Sequence, residues 1–243
     1  MAPELDTDSR AFPCVPPSDL DDPRVIVEHD WEAFQAVEQM SNHWDRPGWS
    51  DQRRVYYWML THADAPELVR RAEYCQGSLE HLGMDPVPSD GLHVTMPRVG
   101  DAELVSMAQI QNLRASAADT FFRGFRVLAH PLAGSRGAVR FSLAPWRPLV
   151  RLHTMLRALG EQAGAPGGKP TSVFRPHLGI AYNNRGRSAA PVIEAVSQLR
   201  GLPPVELEIT SVELVELRRQ YNAYRWETVF TLPLQPAAPS SVL

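Results

Sequence analysis

The chain has 243 residues, 44% of them apolar and 21% charged, enough for one large domain with a substantial core. Its formal net charge of -4 excludes a protein that holds long nucleic acid by its phosphates, because that grip needs a surplus of lysine and arginine. A nucleotide or short RNA remains open, since a small site needs only a few local donors. Cys14 and Cys75 do not make a disulfide framework, the opening MAPELDTDSR lacks the basic and apolar regions of a secretory signal, and no apolar run reaches the length of a membrane span. A cytoplasmic protein without membrane contact is therefore expected.

Residues 1–24 carry Pro13, Pro16, Pro17 and Pro23 among acidic residues and are expected to form a mobile leader. Residues 25–234 read as one globular domain, and 235–243 as a flexible tail. Asp30 is an N-cap candidate for a helix that sets Trp31, Phe34, Val37 and Met40 on one side. After the turn-rich HWDRPGW, VYYWMLTH (55–62) has the aromatic and β-branched content of a strand. PELVRRAEYCQGSLEHLG predicts a helix closing at Gly83, and LHVTM (92–96) a strand stopped by Pro97. AELVSMAQIQNLRASAADTF is helical in its spacing. FRVLAHPL and AVRFSLAP predict a hairpin, RPLVRLHTMLRALGEQAG an amphipathic helix, and HLGIAY (177–182) a strand. APVIEAVSQLRGL follows as a helix, then ELEITSVELVEL and YRWETVFTLPL as two closing strands. This order, without a glycine-rich phosphate loop, predicts an α+β protein with two mainly antiparallel sheets and helices on their outer faces.

Two of these strands share a pattern. Each begins with a histidine, His93 or His177, followed by alternating apolar and small or polar residues. Side chains two apart share a strand face, so His93 points with Thr95, and His177 with Gly179. Val94 and Met96, and Leu178 and Ile180, take the opposite faces and are expected in the core. An imidazole with an ordinary pKa of about 6.5 serves near neutrality as base or acid. Two of them facing a phosphoester supply both proton transfers of its cleavage without a metal, and the Thr95 hydroxyl supplies a phosphate donor.

HVTM (93–96) and FRPHLGIAY (174–182) resemble the paired H-x-(T/S)-x motifs of the 2H phosphoesterase superfamily, in its 2′-5′ RNA ligase-like branch. HWDRPGW with RRVYYW, and SVELVELRRQYNAYRWETV, are similar to bacterial members, so the resemblance spans about residues 42–234. It implies two pseudo-symmetric lobes with the histidines facing across a central cleft, and a cyclic phosphodiesterase acting on a small nucleotide or short RNA, as a monomer without cofactor or metal.

One position departs from the family pattern. The second motif carries Gly179 where a threonine or serine belongs, so one phosphate-binding hydroxyl is missing. Such a loss costs on the order of 3 kcal/mol of transition-state stabilisation, or about a hundredfold in rate. That opens a second reading: a non-catalytic or repurposed protein binding a nucleotide or another small molecule in the same cleft, for example in specialised metabolism. Arg175 has the strand parity of His177 and is a candidate phosphate ligand, provided that Pro176 does not break the strand. Tyr182 has the wrong parity for the cleft unless the strand bulges, and reads as a core aromatic. Trp44, Trp49, Tyr56, Trp58, Tyr221 and Tyr224 are left open between core and cleft. GAPGGKPT (164–171) is too short for a phosphate loop, AGSRG (133–137) is not a nucleophile elbow, and the remaining histidines lack zinc-ligand spacing.

Overall fold

The Asp22 carboxylate accepts the Arg24 N–H at 2.8 Å, and with Pro23 in the first turn a helix starts there. This helix, α1 (Pro23–Gln35), begins a full two turns before the expected start at Asp30. Asp30 lies inside it, fully buried, with its carboxylate 3.3 Å from the Arg140 guanidinium. A buried partner thus outweighs the capping tendency of the aspartate. Trp31, Phe34, Val37 and Met40 do enter the main core together.

The computed structural model describes residues 4–236. After α1 come β1 (Gln39–Met40), β2 (Arg54–Thr61), α2 (Pro66–Ser78), β3 (Asp85–Pro86), β4 (His93–Asp101) and α3 (Met107–Ala118). The second half runs β5 (Phe125–Gly134), β6 (Ala138–Ala144), α4 (Arg147–Gln162), β7 (His177–Tyr182), β8 (Arg187–Ser188), α5 (Ala190–Ser197), β9 (Val205–Ile209), β10 (Ser211–Gln220) and β11 (Ala223–Pro233). A single-turn helix at Glu80–Leu82 extends α2 and closes at Gly83, whose φ of 57° is the left-handed cap a glycine permits. A reciprocal capping box between Ser106 and Gln109 starts α3.

Two antiparallel sheets carry the molecule, in the orders β11-β10-β2-β4 and β3-β7-β6-β5-β9, while β1 and β8 pair separately. This is the expected α+β architecture of two lobes, each sheet contributing one histidine strand. The residues read as one strand, ELEITSVELVEL, divide at Thr210: β9 pairs with β5 in one sheet, and β10 with β2 in the other. The chain thereby ties the lobes together. Strand β4 runs through Pro97 rather than stopping there. It is an edge strand whose register against β2 shifts between the Met59–Thr95 and Tyr57–Arg98 pairs, so Pro97 removes no required ladder bond.

Alternation sorts the aromatic residues of β2. Trp58 and Leu60 enter the main core with Val94 and Met96, as does Tyr56. Met59 packs with Val215 and Leu217, joined by Tyr57, Trp49, Tyr224 and Trp226. Because Met59 pairs with Thr95 and Thr61 with His93, this second group shares its sheet face with the first histidine motif.

The leader expected to be mobile makes hydrogen bonds to the body within its described part. The Asp6 N–H donates to the Ser172 carbonyl at 2.9 Å, and the Trp146 N–H donates to the Leu20 carbonyl at 2.7 Å. Of the expected tail, 237–243 lies outside the described residues.

Candidate active site

His93 opens β4 two residues after a single-turn helix at Ser89–Gly91. Its Nδ1 is 2.8 Å from the Gly91 carbonyl, an acceptor only, so Nδ1 carries the proton and Nε2 keeps its lone pair. The Trp226 ring meets the imidazole edge-on at 5.3 Å, and Tyr224 at 6.5 Å. Burial pulls the pKa of His93 down, and the bond to Gly91 opposes that pull.

His177 repeats the arrangement in the second lobe. A single-turn helix at Thr171–Val173 precedes it, and its Nδ1 is 2.8 Å from the Arg175 carbonyl, again two residues upstream. Both histidines are therefore held in the same tautomer by the same kind of backbone bond. His177 is exposed, unlike the buried His93. Desolvation lowers its pKa to about 3, helped by the positive charges of Arg140 and Arg46, and by His93 whenever that ring is protonated, and opposed by the Arg175 carbonyl. Strands β4 and β7 are in contact, which brings the two histidine strands together. Thr95 is half-buried on the His93 face, as its spacing predicted.

Arg175 is not brought to this cleft. It is 4% exposed, and its guanidinium is spent on backbone. Nε donates to Pro13, Nη1 to Ser172 and Phe174, and Nη2 to Asp6 and Cys14, all at 2.6–3.1 Å. Arg175 does not share the strand parity of His177, because β7 begins at His177, after Pro176. Arg175 ties the leader to the body, and through its carbonyl it orients His177.

Tyr182 does reach the Gly179 face. In β7, Gly179 pairs with Arg140 but Ala181 pairs with Val139, so one residue bulges out between them. That bulge reverses the parity of Tyr182. A Cβ built at Gly179 would lie 3.6–3.8 Å from the phenol end of the Tyr182 ring.

Sequence reasoning gives no role to His43, Arg46 or Arg140. His43 stacks on Tyr182 with ring centres 4.0 Å apart. Its Nδ1 is 3.4 Å from Nη2 of Arg46, which can only donate, so Nε2–H donates to the Tyr224 hydroxyl at 3.0 Å. Desolvation, then Arg46, lowers the pKa of His43 to about 2, so it stays neutral. Arg140 pairs across the sheet with Gly179 and reaches Asp30 and the Phe12 carbonyl. The conspicuous HWDRPGW segment is the signal for His43 and Arg46; Arg140 has none. Of the aromatics left open, Trp44 is buried with its indole N–H on Asp85, while Tyr221 is 88% exposed in the last turn. Among the described residues, no three His, Cys, Asp or Glu are grouped to hold a metal ion, and no helix is long and apolar enough to cross a membrane.

Among curated proteins no relative matches the chain. Solved structures do. Escherichia coli LigT in apo form superposes with a TM-score of 0.56 at 18% identity, covering 75% of this chain and 98% of that one. LigT complexed with 3′-AMP gives 0.55 at 18% identity, with coverage of 75% and 99%. TT0787 of Thermus thermophilus gives 0.54 at 20% identity, with coverage of 77% and 100%. These likenesses establish the fold. The family model described as the 2′-5′ RNA ligase superfamily matches residues 62–220, a span that holds both histidine motifs and most of the chain. The chain belongs to the 2′-5′ RNA ligase superfamily of 2H phosphoesterases.

Proposed function

We propose that the protein is a metal-independent phosphodiesterase that opens 2′,3′-cyclic phosphates or cleaves 2′-5′ linkages of nucleotides or short RNA, with His93 and His177 as its acid and base. The observation that carries this reading is the mirrored pair of bonds from Nδ1 to the carbonyl two residues upstream. Each bond fixes the ring and leaves Nε2 free to accept or deliver a proton.

The free enzyme holds both imidazoles neutral near pH 7, because both pKa values are depressed. An anionic phosphodiester opposes that depression and raises the proton affinity of the pair, so one proton is shared between them. In ring opening, the neutral imidazole takes a proton from water as the water oxygen bonds to phosphorus. The bond from phosphorus to one ribose oxygen breaks, and the protonated imidazole delivers its proton to that oxygen. Thr95 donates to a phosphate oxygen, and the apolar wall of Trp226, Tyr224 and Met59 limits water beside His93. LigT has been crystallised with 3′-AMP, which accords with a small nucleotide ligand here. The same reading takes the protein as a cytoplasmic monomer, residues 25–234 as its catalytic domain, and Gly179 as part of the phosphate site.

The test is turnover of 2′,3′-cyclic nucleotides by purified, EDTA-treated protein. Activity well above that of a His93→Ala, His177→Ala double variant is expected; wild-type activity no higher than the double variant's sinks the proposal. Gly179 favours a second reading, a binder without turnover. Calorimetric nucleotide binding with no hydrolysis would support it.

A further inference from the structure

The missing hydroxyl at Gly179 leaves a question about phosphate binding, and the β7 bulge supplies an answer. Gly179 lies on the His177 face, and a side chain on it would project from the Cβ position. The Tyr182 hydroxyl oxygen is 3.7 Å from that position, with ring atoms Cε1 at 3.6 Å and Cζ at 3.8 Å. The phenol end of Tyr182 therefore lies beside the position from which a threonine or serine side chain would extend.

We infer that Tyr182 is a substrate-binding residue whose phenolic O–H donates to the phosphate in place of the hydroxyl that Gly179 lacks. This rests on the phosphodiesterase reading and deepens it. Three further observations support it. The ring is held on several sides: His43 stacks at 4.0 Å, Trp44 meets it at 5.1 Å and Tyr224 at 5.7 Å. A donor fixed before the substrate arrives needs no reorganisation. Burial raises the pKa of Tyr182, so the group stays a neutral O–H rather than a phenolate that would repel phosphate. The glycine fits the same pairing: a Cβ at 179 would only make ordinary contact with the ring, and glycine leaves that side of the phenol uncovered. Glycine at 179 and tyrosine at 182 thus complement each other, the tyrosine bringing a hydroxyl beside the position where the glycine has none.

The test is a set of four variants: Tyr182→Phe, Gly179→Ser, Tyr182→Phe with Gly179→Ser, and Tyr182→Phe with Gly179→Ala. Two quantities are read for each, affinity for inorganic phosphate by calorimetry and kcat/KM for a 2′,3′-cyclic nucleotide, with thermal melts to confirm folding. Tyr182→Phe should weaken phosphate binding about tenfold, the loss of one hydrogen bond. It should lower kcat/KM about a hundredfold, as for loss of a preorganised donor. Adding Gly179→Ser to the Tyr182→Phe variant should recover at least about a tenth of the lost kcat/KM. Gly179→Ala, which fills space without a donor, should recover none. A purely packing role for Tyr182 predicts no difference between serine and alanine. The inference is overturned if wild type turns over the substrate and folded Tyr182→Phe matches it, or if serine rescues no better than alanine. If wild type neither binds phosphate nor turns over, the phosphodiesterase reading falls and this inference with it.

Discussion

Arg175→Ala separates two roles for a residue that its sequence position recommends as a phosphate ligand. The guanidinium makes five hydrogen bonds to the carbonyls of Asp6, Pro13, Cys14, Ser172 and Phe174. Hydrogen bonds to a charged group contribute about 1.5–3 kcal/mol each, but they do not add. Three of these carbonyls belong to the leader, and once it detaches they regain water, which caps their share. The Ser172 and Phe174 carbonyls stay with the body and lose a buried donor. A net loss of about 3–5 kcal/mol follows, from two acceptors left unpaired at about 1–3 kcal/mol each together with the lost bonds to the leader. At about 2–4 °C per kcal/mol for a chain of this size, the melting temperature should fall by roughly 10 °C. Arg175→Lys should recover only a small part, because one ammonium offers three donors from a single point to five spread acceptors. Scanning calorimetry measures the loss, and limited trypsin digestion at Arg10 reports release of the leader. A melting temperature within about 2 °C of wild type, combined with a raised KM for the phosphoester, would refute the anchoring role and restore Arg175 as a ligand.

His93→Asn and His177→Asn should each lower kcat by about 10²–10⁴-fold, with the double variant little worse than the poorer single variant; strict multiplication of the two losses would show that they do not work as a pair. Because both imidazoles are depressed in the free enzyme, kcat/KM should peak below the ordinary histidine value of about 6.5, and kcat at higher pH because bound phosphate favours protonation. A kcat/KM optimum above about pH 7.5 contradicts the desolvated pair. Replacing the buried Arg140–Asp30 pair together, as Arg140→Met with Asp30→Leu, should leave stability within about 2 kcal/mol. It should also move the acid limb of kcat/KM upward, because Arg140 no longer opposes protonation of His177; an unmoved limb removes Arg140 from the electrostatics of the site. His153 is buried against Phe174 at 4.3 Å, and burial lowers its pKa to about 3. Unfolding raises that pKa, so the contribution of neutral His153 is intact above the unfolded value of about 6.5 and is lost as pH falls toward 3. His153→Gln should flatten the fall in melting temperature between about pH 6.5 and 4 relative to wild type; an unchanged slope places the acid sensitivity in other groups.

The histidine faces are legible in the sequence because their signal is local. Period-two alternation over His93–Met96 and His177–Ile180 fixes which side chains enter the core, and the paired motif adds the chemistry. The hairpin of β5 and β6, the amphipathic α4 and the Gly83 stop are legible for the same reason. What escapes reading depends on contacts distant in sequence. Asp30 resembles a helix cap until Arg140, 110 residues away, explains its burial. Arg175 has the right parity only if the strand includes it, and its carbonyl partners 161–169 residues upstream cannot be seen from FRPHLG. Tyr182 changes face through a single bulged residue, which inverts parity without leaving a mark in the sequence. Thr210 divides a continuous alternating run between two sheets, a choice made by the available partners β5 and β2 and not by local propensity.

In the proposed mechanism, two lobes present two imidazole Nε2 atoms to one phosphate. A crystal structure of the protein soaked with a nucleotide 2′-phosphate tests it most directly. Nε2 of His93 and Nε2 of His177 are each expected within about 3.2 Å of oxygens on the same phosphate group, with both Nδ1 bonds to carbonyls retained. A phosphate bound elsewhere, or touching only one histidine while the other keeps its distance, would contradict it.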